Sequence, residues 1–235
     1  MSEVFVFDVD GTLTDSRKTI DPEFKSFMME FTETNDVFLV TGSDRQKTFE
    51  QLGFEFYEAV NGVWQCNGNE YWEGSRRAEK NDFTMDYEFK KFLIDKVANS
   101  RYPIKTGGHI EERVGMVNFS IVGRGATLEQ RAEYYKWDKK YYERSLLCSE
   151  INNEYPHLIA QSGGMISIDI APRGNTKSQV ADILNKKYGH IHFFGDKMDF
   201  GGNDYPLATT IELGHMGTNY PVSSWQETWE VLKPL

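Results

Sequence analysis

The stretch Val4-Phe5-Val6-Phe7-Asp8-Val9-Asp10-Gly11-Thr12-Leu13-Thr14-Asp15 decides how the rest of the chain is read. Four consecutive β-branched or aromatic residues fit a strand buried on both faces, as in a parallel sheet. The run stops at carboxylates. Asp8 and Asp10 are two residues apart, so in an extended backbone both side chains leave on the same side, and Gly11 lets the chain turn away sharply. Two hard oxygen ligands this close suit Mg²⁺, which takes one or two carboxylates, several waters and phosphate oxygens. With a cation absorbing negative charge, one aspartate can attack phosphorus while the other moves a proton. The plain structural alternative is an acidic turn that caps the next element, and it stands unless the rest of the chain supplies partners.

The 235 residues are 39% hydrophobic and 26% charged, ordinary for a soluble globular protein with one large domain or two modest ones. No run of eighteen apolar residues and no signal-peptide pattern is present, so a cytoplasmic protein with no membrane partner is expected. Cys66 and Cys148 are far apart and lack metal-ligand spacing, which excludes a disulfide scaffold and fits a reduced compartment. The formal net charge of −10 argues against nucleic acid as a partner. Against that background, clustered arginines are informative.

Onward from the first loop, Pro22 to Thr32 reads as an amphipathic helix and Asp36 to Val40 as a second buried strand. That strand ends in Thr41-Gly42-Ser43-Asp44-Arg45, where a hydroxyl and backbone N–H groups ahead of a helix make an anion site. A helix over 46–52, a short strand near 56–59 and a hairpin turn at Asn67-Gly68-Asn69-Glu70 are expected next. The periodicity then changes. Residues 82–99 are helical in spacing, 109–124 read as two strands around Val114-Gly115, and Thr127 with Gln130 is a capping box opening a helix to about residue 150. Strands at 158–161 and 165–171 follow. This order describes a small α+β module, so we expect an inserted cap at 81–174 and an α/β core formed by 1–80 and 175–235.

Arg113, Arg124 and Arg131 lie at strand ends and on the long helix of this module, and the guanidinium fork suits phosphate oxygens. Ser167 and Asp169 alternate with Ile166, Ile168 and Ile170, placing both polar groups on one sheet face. Beyond the module, Thr176 with Gln179 reads as a second capping box. It puts Lys177 in a first helical turn, where a cation opposes the helix dipole unless it faces a bound anion. His190 to Phe194 is a further buried strand, with His192 a packed residue within it, and Gly195-Asp196-Lys197 and Gly201-Gly202-Asn203-Asp204 follow. Asp196 is the expected third metal ligand, oriented by Asn203 and Asp204, because open α/β sheets bind ligands beyond strand C-termini. The segment from Thr209 to Leu232 fits a short strand or loop and a terminal helix.

Four strand ends thus supply Asp8 and Asp10, Thr41 and Ser43, Lys177, and Asp196 with Asp204, in that order. This resembles the haloacid dehalogenase (HAD) superfamily, with the cap inserted between the second loop and the lysine. The cap stretch from His109 to Arg124, Gly163-Gly164-Met165-Ile166-Ser167-Ile168-Asp169, and Phe193-Phe194-Gly195-Asp196-Lys197 are similar to eukaryotic-type phosphomannomutases. The resemblance implies a HAD-like Rossmannoid core with a parallel sheet and a C2b-type α+β cap. It also implies interconversion of hexose 6- and 1-phosphates through a hexose 1,6-bisphosphate that doubles as activator. By position Asp8 is the nucleophile, Asp10 the acid and base, and Asp8, Asp10 (through its carbonyl) and Asp196 the Mg²⁺ ligands. Lys177 with Thr41, Gly42 and Ser43 holds the phosphoryl group. Arg17, Arg113, Arg124, Arg131, Ser167 and Asp169 hold the sugar phosphate, and a homodimer through the cap is implied. Thr176, Val60 and Thr41 depart from the family pattern, which usually has acidic residues at the first two positions and glycine at the third. A phosphatase on the same fold and a non-catalytic sugar-phosphate-binding protein are the alternatives.

Overall fold

The Val4–Phe7 run lies in the middle of a seven-stranded sheet, with strands on both sides and side chains buried on both faces. The computed structural model describes residues 2–234 and divides into two compact units, Met1–Asn81 with Gly174–Leu235, and Asp82–Arg173. The first segment folds as β1 (Glu3–Phe7), α1 (Pro22–Thr34), β2 (Val37–Val40), α2 (Arg45–Leu52), α3 (Phe54–Ala59), β3 (Gly62–Gln65), β4 (Glu70–Glu73) and β5 (Arg76–Lys80). The second unit comprises α4 (Tyr87–Asn99), β6 (Ile110–Arg113), β7 (Met116–Phe119), α5 (Leu128–Tyr141), α6 (Glu143–Glu154), β8 (Leu158–Gly163) and β9 (Ser167–Pro172). The chain then returns through α7 (Gln179–Asn185), β10 (His190–Gly195), α8 (Tyr205–Leu213), β11 (Gly217–Pro221) and α9 (Trp225–Leu232).

The large sheet has the order β11-β10-β1-β2-β3-β4-β5, parallel from β11 to β3 and antiparallel at β4 and β5. Phe5 and Phe7 face a core with Phe24 and Met28 of α1, Phe56 and Tyr57 of α3 and Leu232 of α9. Val4 and Val6 face the opposite core, with Val180 and Leu184 of α7 and Leu207 and Ile211 of α8. Helices on both faces explain why β1 reads as an unbroken apolar run. Strand order reverses between β10 and β1, so Asp8 and Asp196 leave neighbouring strands at a topological switch point, where α/β sheets open a crevice. His192 is packed as expected, stacked on Phe5 at 4.5 Å between centroids with Nδ1 3.0 Å from Tyr220 Oη.

The second unit carries a four-stranded antiparallel sheet of order β6-β7-β9-β8. Its core joins Val117, Phe119, Ile168 and Ile170 to Phe89 and Leu93 of α4, Tyr134 of α5 and Ile151 of α6.

Several local expectations need correction. Residues 54–59 form helix α3 and not a strand, because Gly53 (φ 76°) ends α2 and restarts the helix so that Phe56 and Tyr57 reach the core. A short aromatic run does not reveal its period. The second cap strand ends at Phe119, leaving 120–124 as loop. The helix opened by Thr127, whose capping box with Gln130 is formed, stops at Tyr142. Asp138 there accepts from the Arg144 backbone N–H and Nε, both at 2.8 Å, and this buried pair turns the chain into α6. The β-branched Thr209-Thr210-Ile211 lies in α8, because Leu207, Ala208 and Ile211 pack against the sheet and override intrinsic propensity. The charged edge strand Arg76–Lys80 has no apolar pattern to announce it.

Tyr142 is 64% exposed and left-handed at φ 57°. Relieving that backbone cost of about 1–2 kcal/mol, less the extra chain entropy of glycine, Tyr142→Gly should stabilise the protein by about 0.5–1 kcal/mol. Urea unfolding monitored on wild type and variant checks this; an unchanged or lower midpoint would contradict it.

Candidate active site

Asp8 follows β1, Asp196 follows β10 and Asp204 precedes α8, and one carboxylate oxygen from each lies within 4.8 Å of the others. Lys177 is fully buried, its Nζ 2.6 Å from Asp8 Oδ1 and 2.6 Å from Asp204 Oδ1. Asp204 Oδ2 accepts from the Lys197 backbone N–H at 2.9 Å, and the Lys197 ammonium pairs with Asp196 Oδ2. Gly11 is needed twice over. Its φ of 90° disfavours any side chain, and a Cβ there would lie 2.6 Å from Asp196 Oδ2.

Burial, reinforced by the charges of Asp204 and Asp196, holds the Asp8 pKa well above the usual carboxylate range despite Lys177. Burial likewise pushes Asp196 up to about 6 against the pull of Lys197. Burial alone would lower the Lys177 pKa, but Asp204 and Asp8 more than reverse this and keep it charged. Three carboxylates thus face two ammonium groups. A hard divalent cation on these oxygen donors would turn the local charge from one negative to one positive, ready for a phosphate. The donor set therefore fits the implied metal.

Asp10 is placed differently from Asp8. Its Oδ1 accepts from the Arg17 backbone N–H at 3.0 Å and from Gln51 Nε2 at 3.0 Å, and its Oδ2 from Ser43 Oγ at 3.4 Å. Gln51 Nε2 also donates to Thr14 Oγ1 at 3.0 Å. Its carboxylate therefore stands apart from the acidic cluster, held between the first and second loops. Thr41 Oγ1 accepts from the Ser43 N–H at 3.1 Å, and Asp44 caps α2 by accepting from the Lys47 N–H. Gln51 escaped the sequence reading because a glutamine on a short, polar helix looks like solvated surface, yet it is buried.

The capping box at Thr176 and Gln179 does not form. Thr176 Oγ1 bonds Ser178 Oγ, Gln179 Nε2 donates to the Thr176 carbonyl, and α7 starts only at Gln179. Lys177 therefore sits in the turn before the helix, and its polar surroundings come from Asp8 and Asp204. Asn203 is buried next to Asp204 in the chain.

In the second unit, Arg124 Nη1 donates to Asn118 Oδ1 (2.8 Å) and Ser167 Oγ (3.1 Å), and its Nε lies 2.9 Å from Glu111 Oε2. Glu111 also receives Arg113 Nη2 at 3.2 Å, and Asn118 Nδ2 donates to Asp169 Oδ1 at 2.6 Å. Arg113, Arg124, Ser167 and Asp169 thus form one network, joined by Glu111 and Asn118, which the sequence reading did not single out. Arg131 is buried and turned to backbone, with Nε on the Ala126 carbonyl and Nη2 on the Arg124 carbonyl, both at 2.8 Å. It braces the loop that carries Arg124. Arg17 is exposed and left-handed, with φ 65°.

A family model described as eukaryotic phosphomannomutase matches residues 24–233. The chain belongs to that family. A phosphomannomutase of Spinacia oleracea is 37% identical over 238 residues, covering 97% of this chain and 95% of that protein. Among solved structures, the C-terminal domain of Candida albicans trehalose-6-phosphate phosphatase superposes with a TM-score of 0.63 at 15% identity, over 95% of this chain and 80% of that one. A haloacid dehalogenase-like hydrolase from Bacteroides thetaiotaomicron gives 0.52 at 16%, over 89% and 86%. These two likenesses carry the fold alone: a HAD-like α/β core with an α+β insertion, as the sequence implied. The phosphomannomutase match, by contrast, spans nearly the whole sequence, including all of Asp82–Arg173. Among the described residues no helix is long and apolar enough to cross a membrane.

A cation bound at the acidic cluster would make stability depend on cation and pH together. An aspartate raised to about 6, against about 3.9 unfolded, favours folding below the lower value, and that contribution is lost as pH rises through the upper one. Mg²⁺ at a hundred times its Kd should therefore add about 2.7 kcal/mol at pH 7 and markedly less at pH 5, where protons compete. Thermal unfolding of metal-stripped protein with and without Mg²⁺ reads this out; an equal or larger shift at pH 5 would contradict it.

Proposed function

We propose that the protein is a phosphomannomutase, interconverting mannose 6-phosphate and mannose 1-phosphate with glucose phosphates as secondary substrates. The observation that carries this is the buried Lys177 held 2.6 Å from Asp8 beside Asp196 and Asp204, in a chain the phosphomannomutase family matches over both units. On this reading residues 1–80 and 175–235 perform phosphoryl transfer and 81–174 recognise the sugar phosphate.

The free oxygen of Asp8 attacks the phosphorus of hexose 1,6-bisphosphate, the activator. An aspartyl phosphate forms as the phosphorus–sugar oxygen bond breaks. Asp10 gives its proton to the departing sugar oxygen and later takes one from the hydroxyl of the next sugar phosphate, which accepts the phosphoryl group. Asp10 is suited to this because Gln51, the Arg17 backbone and Ser43 hold its carboxylate away from Lys177. Lys177 and the Thr41-Gly42-Ser43 loop balance charge on the transferring group. Mg²⁺, held by Asp8, Asp196 and the Asp10 carbonyl with Asn203 and Asp204 behind them, would supply electrostatic stabilisation of the phosphoryl oxygens.

Arg17, Arg113 and Arg124 are assigned to sugar-phosphate oxygens, Ser167 and Asp169 to sugar hydroxyls, and Arg131 to holding Arg124. Glu111 supports the assignment, since it pairs with Arg113 and Arg124 as an anion would. A cytoplasmic homodimer joined through the second unit, working in mannose metabolism toward GDP-mannose, completes the proposal. The exposed Tyr142 and Leu146 support the dimer, and a sequence with only two cysteines supports a reducing location.

A ³¹P NMR time course of mannose 1-phosphate with enzyme, Mg²⁺ and catalytic hexose 1,6-bisphosphate tests this. The 6-phosphate peak should grow at constant organic phosphate, and Asp8→Asn should abolish it. Growth of free phosphate would instead identify a phosphatase, and no reaction would remove this substrate class. Gln51→Met keeps the volume and loses both donors. It should slow conversion of mannose 1-phosphate to the 6-phosphate about 10²-fold, within the range general acid–base catalysis contributes, while sparing release of p-nitrophenolate from p-nitrophenyl phosphate, whose leaving group needs no proton. Equal losses on both substrates would refute that role for Gln51.

A further inference from the structure

The turn Cys66-Asn67-Gly68 between β3 and β4 is left-handed at all three residues, with φ of 52°, 58° and 90°. An Asn-Gly hairpin turn calls for two such residues, and the third falls on Cys66, where an L side chain makes it unfavourable. The extra distortion aims the turn's backbone at two distant loops. On one side the Cys66 N–H donates to the Ser43 carbonyl at 3.0 Å and the Asn67 N–H to the Thr41 carbonyl at 2.8 Å. On the other side the Asn67 carbonyl accepts from Gln179 Nε2 at 3.4 Å, and Gln179 Nε2 also donates to the Thr176 carbonyl at 3.0 Å.

A chain of amides completes the second attachment. Asn81 Nδ2 donates to Gln179 Oε1 (2.9 Å) and Asn69 Oδ1 (3.0 Å), while Asn69 Nδ2 donates to the carbonyls of Cys66 (2.7 Å) and Asn175 (3.3 Å). Lys177 lies between Asn175 and Gln179, so one end of its turn is fastened to Asn67 directly and the other to Cys66 through Asn69. The α7 N-terminus offers no side-chain cap of its own to do this. The approach is close enough that a Cβ at Gly68 would meet Gln179 Nε2 at 3.1 Å and the Thr176 carbonyl oxygen at 3.3 Å.

We infer that Cys66-Asn67-Gly68 is a positioning element that sets the distance between the Thr41–Ser43 loop and Lys177, the two groups assigned above to the transferring phosphoryl. It rests on that assignment, and it holds equally for a mutase and for a phosphatase using the same groups.

The decisive pair is Asn67→Gly and Asn67→Val. Both delete the same side chain, but glycine accepts a left-handed backbone and valine resists it. With the full chain, well below its unfolding temperature, Asn67→Gly should keep kcat within two-fold. Asn67→Val should lose ten-fold or more in kcat, at nearly unchanged KM, on both mannose 1-phosphate and p-nitrophenyl phosphate. Gln179→Met, which removes the Gln179 bonds of the second attachment without substituting a turn residue, should lose kcat on both substrates too. Wild-type kcat in Asn67→Val, or equal losses in the glycine and valine variants, would overturn the inference. So would a lowered melting temperature with kcat intact. A crystal structure of Asn67→Val separates this inference from the substrate assignment. Thr41–Ser43 and Asn175–Gln179 should both be displaced, and unmoved loops would overturn the coupling whatever the substrate.

Discussion

The structure of the first unit depends on one buried lysine. Lys177 has no access to water, and its ammonium is tolerable there only because Asp8 and Asp204 each approach to 2.6 Å. Desolvating such groups costs several kcal/mol per ion, and removing one partner from a buried pair costs about 3–5 kcal/mol. The arrangement is therefore cooperative: β1, the turn before α7 and the start of α8 must be in place together. Three negative charges against two positive ones make a poor stability device and a good receptor for a divalent cation and a phosphate.

That constraint explains the architecture around it. A lysine can reach the carboxylate at the end of β1 only if β1 is central and the returning chain crosses beside it. The order β10-β1-β2 achieves this by bringing strands nearly two hundred residues apart into register, with Val6 opposite Phe193 and Phe38. Apolar burial on both faces of β1 then holds the Asp8 backbone in place, while the loops beyond the strand ends carry the candidate site residues. The second unit follows another logic. Its arginines are held by carboxylate, amide and backbone oxygens in a network on one sheet face, which fixes their orientation.

Residues whose placement follows from local pattern were legible in advance. The apolar run into Asp8 and Asp10, the hydroxyl loop at Thr41, the acidic loop at Asp196 and the insertion of an α+β module all stand in the sequence as local pattern. Misreadings arose where local pattern is ambiguous or misleading. The aromatic segment 54–59 had no readable period, the Asp138–Arg144 pair broke an otherwise good helix, and Thr176 with Gln179 mimicked a cap while serving a different set of bonds.

The sequence by itself determined the family, the alternating α/β class and the carboxylates at the strand ends, because each is written in neighbouring residues whose spacing and polarity act locally. Only the tertiary structure decided which partners they have. Asp204 joins Asp8 and Asp196 in the acidic cluster, Asp10 turns instead to Gln51, Arg131 braces the loop of Arg124, and Cys66–Gly68 fastens two loops more than a hundred residues apart. These pairings depend on the closure of long chain segments, whose geometry is set by the packing of the whole sheet and not by any stretch of sequence.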